Sequence, residues 1–423
     1  VEVLSRVAFT KNTQSTATAI GTACPQVVGS GTQFSEDCTT LVVAAASGVA
    51  ELEQNTAFAL HAVTTEQATV PLSSSRASLS TQLQNLSSRL VALRGGATGL
   101  SIGGLVTTDL SNEPYAYGGG AASADGNDVA VFGDERIGIF VNGTYSTGDK
   151  DATANEDGFN FDTWGLTAGV DYRFTEDLVF GLAIGYSEND TKIDRSGGNL
   201  DTNTFNTSLY GTYYANDRLY IDGIVTYSSN NYDQKRKINY SIGNIPVRQT
   251  ASADYNGSQW SAAIGGGYQL SGGPWSYGPT LRLEYLSASV DGYAEKISDT
   301  NLPGGGWAAR LNKLEQESLS TSICFDVARA VSMDWGVLSP QLNLSWIHEF
   351  KDDALAVNGT FVEDPNRTRF SVISDRPDSD YFNARIGVAA QMAGGTSAFL
   401  YYNKVFGYKD LDVDSVGAGV RMA

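Results

Sequence analysis

No run of about 18 consecutive apolar residues occurs anywhere in the 423-residue chain, so no helix of the usual kind crosses a bilayer. That does not exclude a membrane, because barrel spans hide in alternating patterns. Histidine is nearly absent: His61 and His348 are too few and too far apart for a zinc site or a hydrolase triad. Positive charge is scarce, with 28 Lys and Arg against 47 Asp and Glu and a net charge of −19, which argues against nucleic acid as a partner. Neither a phosphate-binding loop nor a dinucleotide fingerprint is found, and no β-helical repeat. No secretory leader is seen at Val1, so an exported chain would be present here in a processed form. Cysteine is limited to three residues. Cys24 and Cys38 lie close together, and a short-range pair suggests a disulfide made in an oxidising compartment. Two buried free thiols are the alternative. Cys324 stands apart on the inward phase of its strand, a small filler expected to stay reduced.

What is plentiful is glycine, 46 residues, and tyrosine, 21 residues. Both suit strands that pack closely and end in aromatic girdles. Four textures follow one another. Residues 1–70 are rich in Ala, Thr and Val and read as a small helical region. Residues 71–95 read as one long semi-polar helix ending in QNLSSRLVALR. Residues 96–131 have the Gly/Ser/Asp composition of a linker. From about residue 132 to 423 the period becomes two, as in LYIDGIVTY, LSPQLNLSWIHEF and FNARIGVAAQM.

One apolar and one polar face per strand fits a sandwich or a membrane barrel. Connection length separates them. Tight turns at 174–177, 215–217, 271–274, 332–334 and 393–396 alternate with long polar connections at 148–157, 190–201, 230–256, 291–314 and 353–379. Outer-membrane barrels have this asymmetry. The reading is mainly β: a 12-stranded antiparallel transmembrane β-barrel with an α-helix in its lumen and a small N-terminal helical region. The strands are expected near 133–147, 158–174, 177–191, 201–215, 217–231, 255–271, 274–291, 314–331, 335–352, 380–393, 396–408 and 411–422. Pro279 and Pro340 are awkward inside strands and belong near strand starts. Tyr172, Phe174, Tyr213, Tyr214, Trp275, Tyr277 and Trp335 beside the short turns read as an interfacial girdle.

The segments GIFVNGTYSTGDKDATANEDGFNFDTWGLTAGVDYRF, LVFGLAIGYS, SLYGTYY, LSPQLNLSWIHEF and VGAGVRM resemble the β-domain of the autotransporters, the type V secretion proteins of Gram-negative outer membranes. The Cys-containing stretch TACPQ to EDCTTLV is similar to a small region that precedes some such domains. The resemblance implies a barrel whose pore is threaded by a helix that once tethered an exported passenger. About 22 residues of helix reach about 33 Å, enough for a bilayer core. Leu83, Leu86, Leu90 and Leu93 mixed with Gln82, Asn85, Ser88 and Arg89 suit a polar lumen better than lipid. Arg76, Arg89 and Arg94 are expected to meet wall carboxylates among Asp171, Asp222, Glu284 and Glu349, with Arg282 and Arg385 also on the lumen wall. Self-cleaving relatives carry Asn-Asn-Leu where this chain has Gln84, Asn85 and Leu86. Glutamine would have to close a six-membered ring in place of a five-membered one, so cleavage is not expected. The closing RMA also departs from the aromatic finish usual in this class.

Function follows along two lines. The first is an outer-membrane translocator and anchor that exports or displays its own N-terminal segment. The second is a plugged barrel acting as a scaffold or interaction partner in a cell-surface assembly. Neither requires catalysis, a cofactor or a metal. The acidic loop with Asp149, Asp151, Glu156 and Asp157 lacks the EF-hand spacing and reads as solvated. Lys235, Arg236 and Lys237 form a basic run in the longest connection. The partners expected are outer-membrane lipid and lipopolysaccharide, the barrel assembly machinery during insertion, and a surface protein assembly.

Overall fold

The computed structural model describes residues 1–94, 99–102, 136–194, 197–392 and 397–421. Its main body is a closed antiparallel barrel. The strands are β1 (Ile137–Lys150), β2 (Phe159–Thr175), β3 (Leu178–Ile193), β4 (Asn199–Tyr214), β5 (Leu219–Ile242) and β6 (Ile245–Tyr268). They continue as β7 (Trp275–Val290), β8 (Leu314–Arg329), β9 (Gly336–Glu349), β10 (Asp380–Met392), β11 (Ser397–Phe406) and β12 (Leu411–Arg421). Each pairs with its sequence neighbour, and β1 closes on β12 from Gly143 opposite Ala418 to Lys150 opposite Leu411. The two prolines sit where ladders lapse. Pro279 lies one residue beyond the β6–β7 register, and Pro340 falls in a gap between Gln341–Ala328 and Leu338–Val331. A missing N–H costs little there.

The alternation is visible in the burial of side chains. Outward positions such as Leu182, Ile184, Ile264, Leu281, Ile386 and Leu400 are exposed aliphatics. Around a soluble protein such a surface would be one very large apolar patch; around a barrel it is the face lipid covers. Aromatic rows bound it. Beside the short turns Phe174 touches Tyr172 and Phe180, and Arg136 and Arg329 lie over the rings of Tyr172 and Trp275. At the other edge, Trp164, Tyr285 and Trp346 donate to Glu188, Glu317 and Asp380. An apolar ring body with a polar tip suits a membrane boundary.

The expected connection at 230–256 is corrected. β5 and β6 run 24 residues each and join through a two-residue turn at Gly243 and Asn244. The period of two simply continues past the bilayer. The inward positions Tyr232, Ile238 and Val247 there are buried, because something other than lumen water covers them. The connections at 291–314 and 353–379 are likewise ordered. Tyr293–Ala294, Ala309–Leu311, Ala356–Phe361 and Arg369–Ile373 form a second, four-stranded sheet.

The cover is the N-terminal region, four helices: α1 (Glu2–Val7), α2 (Lys11–Val27), α3 (Gln33–Ala46) and α4 (Ala50–Val63). Thr10 and Thr13 form a reciprocal cap at the start of α2, and Thr32 caps α3. A disulfide joins Cys24 to Cys38, tying α2 to α3. One core unites these helices with the outer hairpin and the small sheet, centred on Phe34, Trp307, Phe361 and Phe370. Polar staples cross the seam. Both Asp37 carboxylate oxygens accept backbone N–H groups, from Gly304 at 2.8 Å and Gly306 at 3.0 Å. A Cβ on Gly306 would fall 2.4 Å from the Phe34 Cα, so only glycine allows that approach. Asn12 donates to the carbonyls of Asn155 and Ile373 and accepts from the Ile373 N–H. Arg236, fully buried, pairs with Glu295 and donates to the Trp307 carbonyl. Its neighbours Lys235 and Lys237 point outward.

Long connections and helices therefore lie at one end of the barrel, short turns at the other. A short epitope inserted at Gly243–Asn244 should be labelled on intact cells, while one at 271–274 should not. Labelling only at 271–274 would mean the barrel is inverted.

Candidate functional site

α5 (Val70–Arg94) follows α4 through the short 3-10 turn Glu66–Thr69 and runs down the barrel lumen. It enters from the end that carries the helices and finishes near the start of β1. The 96–131 linker lies outside the described residues except for Gly99–Ile102, which forms a short strand parallel to Gly138–Val141 of β1.

The helix leans on β1–β6. Leu79, Leu83, Leu86, Leu90 and Leu93, spaced by four and three, stack down one stripe. They meet Phe140, Val179, Tyr210 and Ile224 from the wall. The lumen is polar only in part: on this side the inward phase of the strands carries large apolar residues. Between the leucines, polar side chains find wall partners. Ser74 donates to Thr202, and Gln82 bridges Ser208 and Thr167. The Ser75 carbonyl accepts from Gln259, and the Ser75 hydroxyl pairs with that of Tyr232.

Deepest lies Arg89, with no solvent exposure. Its Nε and one terminal nitrogen reach the two oxygens of Asp171 at 2.7 and 2.9 Å, a bidentate pair. The Tyr210 hydroxyl donates to the same carboxylate at 2.8 Å, and the guanidinium lies 5.3 Å from the Phe140 ring centroid. A Cβ on Gly138 would fall 2.3 Å from both Arg89 and Asp171, so this pair requires glycine in β1.

The other expected pairings divide. Arg76 reaches across to Glu349 at 3.8 Å. Glu284 faces Arg282 of its own strand at 3.6 Å rather than a helix arginine, because the two share the inward phase of β7. Arg282 also donates to Ser87 at 3.2 Å. Arg385 lies over the Tyr401 ring at 4.6 Å, and Asp222 lines the open lumen. Arg94 ends the helix, and its side chain is outside the described residues.

Gln84 and Asn85 lie on different faces. Asn85 is buried: it donates to Thr167, its side-chain oxygen accepts from Thr144, and its carbonyl accepts from Asn142. Gln84 faces the open lumen and donates to Ser80 one turn earlier, at 3.2 Å.

Two features at the outer mouth had no clear sequence signal. Lys150 bridges Glu156 and Asp375, both at 3.2 Å, and the Thr69 hydroxyl donates to Glu156. Burial opposes ionisation of Asp375, yet donation from Thr153 and Asn155 together with Lys150 holds its carboxyl below the usual range. Nearby, His61, Glu66 and Asp157 have ligand atoms within 4.8 Å of one another. The two ring nitrogens face different carboxylates, Nδ1 toward Glu66 at 3.8 Å and Nε2 toward Asp157 at 3.2 Å. That places an imidazole between two acids rather than three donors around one ion. Of the acidic loop residues, Glu156 and Asp157 are thus absorbed into the seam, whereas Asp149 and Asp151 remain exposed.

Comparison with known proteins follows this geometry. Residues 139–403 match the family model described as the autotransporter beta-domain. Esterase EstA of Pseudomonas aeruginosa is 28% identical over 151 residues, 35% of this chain and 22% of that protein. Outer membrane protein B of Rickettsia prowazekii is 23% identical over 195 residues, 45% of this chain and 12% of its own length. The chain thus spans a small part of the curated relatives it matches. Among solved structures, the translocator domain of NalP from Neisseria meningitidis superposes with a TM-score of 0.52 at 15% identity, covering 67% of this chain and 87% of that one.

Replacing Asp171 with Asn should leave the Arg89 guanidinium buried without its counter-charge. A loss of roughly 3–5 kcal/mol is expected for such a one-sided break. Thermal unfolding in detergent measures it, and an unchanged midpoint would show that the pair does not hold the helix. Acid should act at the outer mouth. A carboxyl whose folded pKa is depressed contributes above its unfolded value, near 3.9, and that contribution is lost as the pH falls through the folded pKa. Protection of the amides around Asp375, measured against their intrinsic exchange rates at each pH, should therefore fall as the pH drops from about 5 to below the folded pKa, and the Asp375→Asn variant should lose this dependence.

Proposed function

Since this chain belongs to the autotransporter β-domain family, we propose that its barrel has passed residues 1–70 through its own lumen and holds them on the cell surface, covalently attached. The chain forms an outer-membrane translocator barrel of a Gram-negative cell. The observation that carries the finer reading is the course of α5. It leads from the helical region at the long-connection end to the start of β1 at the short-turn end. In outer-membrane barrels the long connections face outward, so the helical region is on the outside.

The chain stays uncut at 84–85. Gln84 would need the less favourable ring closure, and its amide is turned toward Ser80 and the open lumen, away from the buried Asn85 contacts. The barrel works without catalysis. Esterase activity is in the name of EstA alone, and His348 here is bonded to Asp380 on the outward face of β9 and β10. Partners follow from position. Lipid and lipopolysaccharide surround the outward face, with Lys235 and Lys237 above the aromatic row, and the barrel assembly machinery serves insertion. A scaffold role in a surface assembly is supported by Phe9, Val43 and Phe58, large apolar side chains that the helical region leaves exposed.

Proteolysis of intact cells tests this reading. Antibody or protease should reach residues 1–60 without lysis, and mass spectrometry should find one chain continuous through Gln84 and Asn85. Protection until the outer membrane is opened, or a native fragment ending at Gln84, would refute it.

A further inference from the structure

We propose that the outward face of β3–β6, beyond the aromatic row, is a docking surface for the phosphorylated core of lipopolysaccharide. It rests on the long connections facing outward, and it assigns to one side of the barrel, and to one height above the bilayer, a contact with a defined chemical group.

Strand register places the cations. Lys192 of β3 lies opposite Asn199 of β4, and Asn199 lies opposite Lys235 of β5. Lys235 lies opposite Ser252 of β6, and Ser252 opposite Lys296 in the short strand beside it. The three lysines thus form one lateral row on alternate strands. Strands about 4.8 Å apart put successive lysines about 10 Å from each other. Lys237 follows further out on β5, and Arg248 further out on β6. All five side chains are exposed.

These cations are poorly compensated, although the chain carries a net charge of −19. On the other side of the barrel, outward lysines have acid partners: Lys313 has Glu315 at 2.6 Å, Lys351 has Glu317, and Lys404 has Asp414 at 3.4 Å. On β3–β6, among the described residues, Lys192, Lys237, Arg248 and Lys296 form no ion pair within 4.0 Å. Lys235 has Asp233 at 3.8 Å, with both side chains half exposed. A group of unpaired cations on one face fits a partner carrying several phosphates.

Height selects which phosphates. Trp164 touches Tyr186, and Tyr227 touches Trp260, at the outer edge of the lipid face. Lys192 lies six residues beyond Tyr186, and Lys235 eight beyond Tyr227. At about 3.3 Å per residue and a tilt of about 40°, they stand about 15 and 20 Å above those rings. A phospholipid headgroup layer is only roughly 5–8 Å thick on each side. The next outward row toward the bilayer is Asp162, Asp190, Asp201, Asp233 and Asp254, each opposite the next. A phosphate at that lower level meets like charge. The saccharide core of lipopolysaccharide reaches past the aspartates and brings its phosphates level with the lysines.

Binding is measured on the full chain in non-ionic detergent at fixed magnesium, with three probes: lipopolysaccharide with a phosphorylated core, lipopolysaccharide whose core lacks phosphate, and phosphatidylglycerol. The first should bind about tenfold more tightly than either of the others and weaken as salt rises. In the triple variant Lys192→Gln, Lys235→Gln, Lys237→Gln its affinity should fall by about tenfold or more, since each basic residue near an anionic surface contributes about fivefold. The double variant Lys313→Gln, Lys351→Gln, on the other side of the barrel, should bind as the intact chain does. Every substituted side chain is exposed, and an unchanged unfolding temperature checks that the variants fold. Equal binding of the three probes overturns the proposal. So does a triple variant that binds like the intact chain, or an equal loss in the double variant. Labelling of intact cells at Gly243–Asn244 decides the orientation separately: its absence refutes the outward reading, whereas failed binding with the label present refutes the docking surface alone.

Discussion

Closure of the hydrogen-bonded ladder is the constraint on which the rest of this structure depends. In lipid an unpaired backbone amide or carbonyl costs several kcal/mol, so a membrane sheet must have no edge. Closing β12 on β1 satisfies that demand and couples strand number, tilt and width. A twelve-stranded ring is wider inside than one helix. A helix placed in it either floats in water or leans on a wall. It leans, because β1–β6 offer a leucine-matched apolar strip and hydrogen-bond partners for the polar residues between the leucines. The space beside it is therefore a consequence of barrel size.

Two arginines hold the helix, and they are not equivalent. Arg89 is wholly buried and must recover a large desolvation cost from a bidentate carboxylate and a ring face. Such a pair adds little net stability compared with apolar packing, but breaking it on one side is expensive. Its role is geometric: it fixes depth and rotation, and Gly138 leaves room for it. Arg76 is a third exposed, and its contact with Glu349 is longer. A pair of that kind contributes at most about 1 kcal/mol. The helix is thus pinned by a buried ion pair at its inner end and by buried neutral hydrogen bonds from Ser74 and Ser75 at its outer end.

Much of this was legible in the chain. Alternation over strands such as 177–191 and the regular exchange of short and long connections identify a barrel and orient it. The leucine spacing and the arginines of 71–95 mark a helix meant for neither lipid nor bulk water. What escaped has physical reasons. Beyond the aromatic row, β5 and β6 keep their alternation but turn polar outward, as in YDQKRKINY, and polar alternation reads as loop when its cover is remote in sequence. That cover is the helical region, some 200 residues earlier in the chain. The second sheet is built of short strands that pair across connections, which local patterns do not report. Asp171 and Glu349 were identifiable as inward carboxylates, but only the register decides that they, rather than Glu284, receive helix arginines. His61 looked solitary because its neighbour Asp157 lies on a different element.

The seam between helices and barrel bears on what an anchor requires. Asn12, Asp37 and Arg236 are buried there with their polar atoms bonded to backbone or to an opposite charge. Leaving any one unpaired on separation without water would cost about 1–3 kcal/mol, and water must enter the whole seam before it relieves that cost. The short connection from α4 to α5 also holds the helical region at an effective concentration near the millimolar range of short tethers, so partial openings reclose. Covalent continuity through α5 and this docked seam therefore act in parallel. A cut in the helix would remove the tether but leave the seam, and loss of the seam would leave the tether. Separation of residues 1–70 from the barrel would need both to fail.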